Sequence, residues 1–204
     1  MPFPSTTLEG AHVRLEPLGA HHLAGLTRAG ADPELWRWTL ADASTPEAMA
    51  GYVEAALGEA ERGESRPFAT IERATGTVVG STRFGNIAPT HGRAEIGWTW
   101  IARPWQRTAV NTEAKLLMLA HAFDVWGLDR VELKTDALNA RSRAAILRLG
   151  ATEEGTLRRH MRTSTGRLRD TVYFSILADE WPAVRDRLDA RLRAHVGSAP
   201  DPHA

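Results

Sequence analysis

The chain has 204 residues, and its 25 basic and 25 acidic side chains give a formal net charge of zero. This balance argues against a protein that gathers nucleic acid or an anionic membrane through a global positive field. The chain has no cysteine, which excludes disulfides, thiolate nucleophiles and Cys-ligated zinc. Its hydrophobic fraction of 43% and charged fraction of 25% are those of an ordinary folded globular protein.

Two further classes of protein are disfavoured by spacing and hydropathy. The eight histidines show no HExxH or HxH pattern, so we expect no metal site. No stretch approaches the roughly 18 apolar residues of a membrane span, and the N-terminus has no basic segment followed by an apolar one. We therefore expect a cytoplasmic protein that binds neither membrane nor nucleic acid.

The first half of the chain mixes strands with helices. Residues 12–18 alternate apolar and polar side chains, which predicts a strand, and residues 20–30 have helical spacing. A second helix is predicted from Thr45, a good N-cap that is followed by proline. Residues 66–87 contain two β-rich runs joined at a turn, which predicts a hairpin.

A further strand and helix flank a polar junction. Residues 93–101 predict a strand that Pro104 ends. Its period of two predicts that one face carries Ala94, Ile96, Trp98 and Trp100 and the other carries Glu95, Gly97, Thr99 and Ile101. Residues 112–126 predict a helix whose inward side chains are Leu116, Leu117, Ala120, Phe123 and Val125.

The remaining segments predict a strand over residues 130–136, a helix that Gly150 closes, a hairpin turning near Gly166, and a terminal helix. The order of elements indicates a mixed α/β protein. We expect a single domain over residues 1–196 and a disordered tail at 197–204.

The junction "QRTAVN", Gln106 to Asn111, is the clearest candidate for a binding site. The first N–H groups of a helix have no intrahelical partner, and together with the helix dipole they attract anions, of which phosphate is the usual one. Ala109 is small enough for close approach of a ligand, and Asn111 tolerates a left-handed conformation. The alternative is a plain strand-to-helix turn without a ligand.

Three blocks carry a resemblance to a known family. They are "EIGWTWIARPWQRTAVNTEAKLLMLAHAF", "RVELKTDALNARSRAAILRLGATEEGTLR" and "RDTVYFSILADEW". In this order they resemble the GCN5-related N-acetyltransferase (GNAT) superfamily, in particular its RimJ/RimL-like ribosomal-protein N-terminal acetyltransferase branch. The likeness extends over about residues 8 to 192. It implies a central, mostly antiparallel twisted sheet of about 6–7 strands, splayed between two parallel central strands and flanked by helices.

The resemblance implies acetyl-CoA as the cosubstrate. The family's pyrophosphate loop, Q/R-x-x-G-x-G/A, falls on Gln106–Asn111, and this chain departs from it at Ala109 and Asn111; a positive φ at Ala109 would strain the loop. Asn139 resembles an asparagine that binds the pantetheine arm. The cofactor-binding residues implied are Trp98, Thr99, Trp100, Gln106, Arg107, Thr108, Ala109, Val110, Asn111, Thr112, Asn139 and Ser142. Arginines and one lysine are candidates for the 3′-phosphate, namely Arg107, Lys115, Arg141, Arg143 and Arg148.

The implied reaction is transfer of an acetyl group to a primary amine, on a protein N-terminus or a small molecule. Glu95 is the candidate base, acting through water. Many relatives have a tyrosine where this chain has Ile146, which leaves Ser142 or Tyr173 as the acid for the thiolate. The candidate acceptor-binding residues are Trp36, Trp38, Phe84 and His91, each of which is also a reasonable packing or surface residue.

A non-catalytic acyl-CoA-binding module with a degenerate loop is the alternative. The resemblance is also compatible with a homodimer.

Overall fold

All strands belong to one eight-stranded sheet in the order β1-β2-β3-β4-β5-β6-β8-β7. The computed structural model of the protein describes residues 3–196, so the predicted tail at 197–204 lies outside the described residues. The strands are β1 (Leu8–Glu9), β2 (Val13–Pro17), β3 (Arg66–Glu72), β4 (Thr77–Ala88), β5 (Arg93–Ile101), β6 (Arg130–Asp136), β7 (Thr152–Arg162) and β8 (Leu168–Leu177). The predicted fold class is confirmed, and the sheet exceeds the expected strand number because the two-residue β1 pairs with β2.

Helices cover both faces of this sheet. They are α1 (Leu23–Ala29), α2 (Pro46–Glu61), α3 (Ala109–Ala120), α4 (Ala140–Leu149) and α5 (Trp181–Val196). Side chains of α3, α4 and α5 share one apolar cluster with the sheet, and those of α1 and α2 share a second cluster on the opposite face. The sheet therefore separates two layers of helices. Within the described residues, no helix is both long and apolar enough to cross a membrane.

Helix α3 differs from its sequence prediction at both ends. It begins at Ala109, three residues before the predicted start, and a π-helical turn, His121–Val125, follows its last residue. The π turn rotates the side chains that follow it, because it contains more residues per turn than an α-helix. Val125, predicted to face inward, is 69% exposed. Glu113 and Lys115, by contrast, are buried.

A β-bulge makes the predicted faces of β5 wrong after Gly97. The register with β4 passes from Arg83↔Gly97 to Ser81↔Trp100, so Trp98 and Thr99 together oppose one residue of β4. Trp98 has a φ of 50°, which is the left-handed conformation that bulges often contain. Trp100 consequently packs in the α1/α2 cluster, on the face opposite to Ala94 and Ile96.

The carboxylate of Glu113 fixes the first part of α3 to the β1–β2 turn. It accepts hydrogen bonds from the backbone N–H groups of Ala11 (2.9 Å), His12 (2.6 Å) and Val13 (2.7 Å). A Cβ atom on Gly10 would lie 2.4 Å from this carboxylate, so only glycine fits there. This contact holds the start of α3 in position at the end of β5.

Replacing Glu113 with glutamine should destabilise the fold, because an amide has one acceptor oxygen for three backbone donors and carries no charge. We expect the free energy of unfolding in urea to fall by about 2–4 kcal/mol. The control Glu54→Gln, at an exposed position of α2, should change it by less than about 0.5 kcal/mol. Equal unfolding midpoints for both variants would contradict this role of Glu113.

Candidate active site

The two parallel strands at the centre of the sheet separate soon after they pair. Strands β5 and β6 are in register only from Arg93↔Arg130 to Glu95↔Glu132. The rest of β5 and β6 therefore diverge and leave a cleft between them. Since α3 follows β5 and α4 follows β6, the N-termini of both helices lie at the open end of this cleft.

The bulge at Trp98 lies along one wall of the cleft. Trp98 is 38% exposed, which is high for an aromatic side chain in the middle of a sheet. Its ring covers Gly85, where a Cβ atom would approach it to 2.5 Å. The Arg83 guanidinium and the Lys134 ammonium lie 5.3 Å and 5.8 Å from the ring centre. The ring thus contacts both sides of the divergence.

The junction before α3 adopts a different backbone from the one that its family likeness suggested. Arg107, with a φ of 62°, has the left-handed conformation. The Thr108 hydroxyl caps α3 by accepting from Val110 N (3.3 Å). Ala109 is the first helical residue, so the expected strain at this alanine is absent. Asn111 is also helical, and its Oδ1 is buried without a hydrogen-bond partner.

Gln106 connects the two walls of the cleft. Its Nε2 donates to the carbonyl of Ile101 at the end of β5 (2.7 Å), and its Oε1 accepts from Arg141 Nη1 in the first turn of α4 (2.5 Å). The predicted residues Gln106 and Arg141 are therefore brought together. Thr112 lies further along α3 and is half-buried.

Glu95 occupies the last paired position before the strands diverge, and its residue is buried. Asn86 Nδ2 donates to Glu95 Oε2 (2.7 Å), and Lys134 Nζ lies 2.8 Å from the same oxygen. Oε1 has no hydrogen bond from the described residues and lies beside the α-carbon of Gly97. One oxygen of the carboxylate is thus held in place and the other is free to accept a proton.

The candidate acids lie on the β6 side of the cleft. Asn139 is the N-cap of α4, and its Oδ1 accepts from Ser142 N (3.0 Å). Ser142 is half-buried in that first turn. Tyr173 pairs with Lys134 across β8 and β6, and the lysine ammonium is 5.8 Å from the tyrosine ring centre. Ser142 belongs to an element that borders the cleft, whereas Tyr173 lies one strand further away, on β8.

Three of the four predicted acceptor-binding residues do not line the cleft. Trp36 is 2% exposed in the α1/α2 cluster, where its Nε1 donates to Gly30 O. Phe84 is fully buried on the α3 face, because Thr82 and Phe84 alternate with the outward Arg83 along β4. His91 is exposed in the turn before β5, at the end of the strand opposite to the cleft.

Trp38 does lie near the acceptor face. Its ring is 5.7 Å from the guanidinium of Arg167 in the β7–β8 turn. Arg167 in turn pairs with the buried carboxylate of Asp136 at the end of β6. The loop between α1 and α2 therefore meets the β7–β8 hairpin across this face of the sheet.

The candidate phosphate-binding cations are only partly available. Arg143 pairs with Glu153 (3.1 Å), whereas Arg107 and Arg148 are exposed near the N-terminus of α3 and at the end of α4. Lys115 cannot meet a phosphate in this structure, because the residue is 5% exposed. Its side chain points at the sheet, where it bonds residues of β4 and β5.

Lys115 contacts only neutral oxygens. Its Nζ donates to Thr99 Oγ1 (2.7 Å) and Thr82 Oγ1 (3.1 Å), directly below the bulge. No carboxylate of the described residues pairs with it. Burial lowers the pKa of Lys115 to about 7, because a low-dielectric surrounding disfavours the charged form. Sequence reasoning missed both the burial of Lys115 under the bulge and the ion pair of Lys134 with Glu95. A signal was available, because these are the only two lysines in the chain.

A cluster of possible metal ligands and a cavity lie outside the cleft. Glu16, His21 and His22 could approach a common metal ion. However, His22 Nδ1 accepts from Gly19 N, so its Nε2 carries the proton that faces Glu16, and this tautomer opposes metal binding. A cavity of about 420 Å³ lies beside the start of α3 and is lined in part by Trp105, Thr108 and Arg73.

A sheet that splays beyond a short parallel pairing, with a bulge on one arm and a helix after each arm, is the architecture expected of a GNAT-type transferase. Comparison with known proteins agrees with it. The profile of the family "Acetyltransferase (GNAT) domain" matches residues 12–152. The chain therefore belongs to the GNAT acetyltransferase family.

Individual relatives give the same result. A GCN5-related N-acetyltransferase from Brucella melitensis has a TM-score of 0.86 at 33% identity, with 97% of this chain and 87% of that chain covered. Mycobacterium smegmatis RimJ in complex with CoA-disulfide has a TM-score of 0.79 at 25% identity, with coverages of 91% and 94%. The Bacillus subtilis (strain 168) protein named "Putative ribosomal N-acetyltransferase YdaF" is 33% identical over 106 residues, which are 52% of this chain and 57% of that protein.

The buried lysine predicts a specific pH dependence of stability. Between about pH 7 and 10.5 the unfolded chain holds a proton that folded Lys115 has lost, so the free energy of unfolding should rise with pH across this window. Lys115→Met removes this contribution. The free energy of unfolding of the wild type, minus that of the variant, should therefore rise with pH across this window by up to about 1.4 kcal/mol per pH unit.

Because the chain has two lysines, protein labelled with ¹³C at the lysine ε-carbon should give two signals. The spectrum of Lys115→Met identifies the signal of Lys115. We expect that signal to titrate near pH 7, and titration at pH 10 or above would contradict the account.

Proposed function

We propose that the protein is an acetyl-CoA-dependent N-acetyltransferase that moves an acetyl group to a primary amine by direct attack in a ternary complex. The observation that carries this proposal is the cleft between β5 and β6, with the bulge at Trp98 on its wall and the N-terminus of α3 at its open end. The alternative, a non-catalytic acyl-CoA-binding module, was motivated by Ala109 and Asn111. The helical backbone at both residues weakens it.

The cleft fits an extended ligand that carries amide groups. Beyond Glu95 the edge of β5 that faces β6 has no strand partner, so its backbone groups at Trp98, Thr99 and Trp100 are free to bond a pantetheine arm as an added strand would. The exposure of Trp98 and Thr99 agrees with this role. When bound there, acetyl-CoA supplies an activated thioester, and backbone N–H groups at the bulge would polarise its carbonyl.

The start of α3 fits the diphosphate of the same ligand. Its first N–H groups have no intrahelical acceptor, and the left-handed turn at Arg107 brings the backbone to the helix end without strain at Ala109. Arg107 and Arg141 supply positive charge on the same side, whereas Arg148 lies in the last turn of α4, away from this end. Asn139, at the start of α4, would bond the arm from the other wall of the cleft.

The amine must be neutral to attack. An α-amine with a pKa near 8 is neutral in about one molecule in ten at pH 7, whereas a free lysine amine is neutral in only a few per ten thousand. Glu95 is the proposed base, taking the proton at Oε1 through a water molecule, while Asn86 and Lys134 hold Oε2. Ser142, or Tyr173 from β8 on the same side of the cleft, would return a proton to the thiolate.

The name of one relative bears on the acceptor. YdaF is named a putative ribosomal N-acetyltransferase, which is compatible with an amine on a protein. A protein N-terminus or a small-molecule amine is therefore the proposed acceptor class. Trp38 and the β7–β8 hairpin border the face on which this acceptor would lie.

Titration calorimetry with acetyl-CoA, followed by a thiol-release assay over a panel of amines, tests the proposal. We expect binding, and thiol release that depends on an amine. Binding without release for any amine would favour the non-catalytic module, and absence of binding would contradict both functions.

Two variants separate the base from the acid. Glu95→Gln should lower kcat by about 100-fold or more without weakening acetyl-CoA binding, because it removes the proton acceptor and keeps the shape. Ser142→Ala should lower kcat less, since a thiol with an ordinary pKa of about 8.5 is already a fair leaving group. The exposed Ser5→Ala is the matched control. Wild-type kcat in Glu95→Gln would remove Glu95 from the mechanism.

A further inference from the structure

Arg169 of β8 is a buried cation without a partner. The residue is 6% exposed, its Nε is inaccessible to solvent, and no hydrogen bond or ion pair joins its guanidinium to any described residue. Arginine offers five N–H donors, and burying them unpaired is unfavourable. Such a group in a folded protein calls for an explanation, and a bound anion is the simplest one.

A second unpaired donor lies beside it. The Oγ1 of Thr171 is buried without a hydrogen-bond partner, and the residue has no exposed surface. Arg169, Thr171 and Tyr173 alternate along β8, so they share the face opposite to the core residues Val172 and Phe174. This is the face that carries Glu95 and Lys134, where the acceptor would lie.

The carboxylates nearby are already engaged. Asp136 Oδ2 pairs with Arg167, and its Oδ1 accepts from the backbone of Leu138. Glu95 is held by Lys134 and Asn86. Both carboxylates attract Arg169 only at longer range.

The group consequently has three cations against two carboxylates. The cations are Lys134, Arg167 and Arg169, and the carboxylates are Glu95 and Asp136. His160 of β7 contacts Tyr173 beside this group, and other charged side chains of this face pair with one another, Arg83 with Glu59 and Arg130 with Glu132 and Glu154. Burial lowers the pKa of Arg169, but a guanidinium stays charged in proteins. One positive charge is therefore left without compensation.

We infer that Arg169 and Thr171 form a subsite for a carboxylate carried by the amine acceptor. The planar guanidinium matches a carboxylate with two parallel hydrogen bonds, and the Thr171 hydroxyl adds a third donor. This inference rests on the proposed function and narrows its acceptor to amines that bear a carboxylate.

The test uses short ω-amino carboxylates of increasing length, each paired with its carboxamide. Binding to the CoA-bound protein is measured by titration calorimetry, and acetylation is measured by thiol release, with rates divided by the neutral fraction of each amine. For at least one length, the wild type should bind the carboxylate roughly tenfold to hundredfold more tightly than the carboxamide. Equal affinities at every length would overturn the inference.

Variants assign that preference to the subsite. Arg169→Met should remove the preference, Arg169→Lys should keep part of it, and Thr171→Val should reduce it. The control Arg28→Met, at an exposed arginine of α1, should leave it unchanged. A preference that survives in a folded Arg169→Met protein would also overturn the inference, and if this variant does not fold, Arg169→Lys and the wild-type comparison decide.

The outcomes separate the subsite from the reaction. Acetylation of carboxamides as fast as carboxylates would leave the proposed function intact and remove the subsite. Selective binding of carboxylates without thiol release for any amine would keep the subsite and contradict acetyl transfer.

Discussion

The short parallel pairing of β5 and β6 is the constraint on which the site depends. Because the two strands are in register only as far as Glu95↔Glu132, their remaining residues form the walls of a cleft instead of continuing the sheet. The bulge at Trp98 increases the separation, since an extra residue bends the strand that contains it. The Glu113 carboxylate then fixes the helix that closes the open end of the cleft.

The sheet also separates two chemical environments. On the α3 face, Lys115 is buried among threonine hydroxyls, and burial lowers its pKa to about 7, so that it loses its proton far more readily than an exposed lysine. On the opposite face, Lys134 keeps a carboxylate partner in Glu95, and Arg169 has none. The two lysines of the chain thus lie on opposite faces of the sheet, close to the point at which β5 and β6 diverge. This division suits one ligand in the cleft and a second ligand on the α1/α2 face.

Much of the fold could be predicted from the sequence, because its signals are local. Periodicity located the strands, Thr45 caps α2 as expected, and a helix does begin within the junction from Gln106 to Asn111. The bulge could not be predicted, since nothing in an alternating strand shows which residue loses its partner. The faces of Trp98 and Trp100 were wrong for that reason. Residue type alone did not show that Trp36 and Phe84 are buried in the two apolar clusters, or that His91 lies at the end of β5 opposite to the cleft. The sequence could not show that Arg169 is unpaired, because this depends on Asp136 and Glu95, which come from other strands and are engaged by Arg167 and Lys134.

The central claim is that the cleft walls and the start of α3 hold acetyl-CoA. Amide hydrogen exchange with and without CoA tests it most directly, because free backbone N–H groups exchange quickly and bound ones are protected. We predict slower exchange on CoA binding at Trp98–Trp100 and at Thr108–Asn111, with little change in α2. Binding that leaves both segments unprotected would contradict the account.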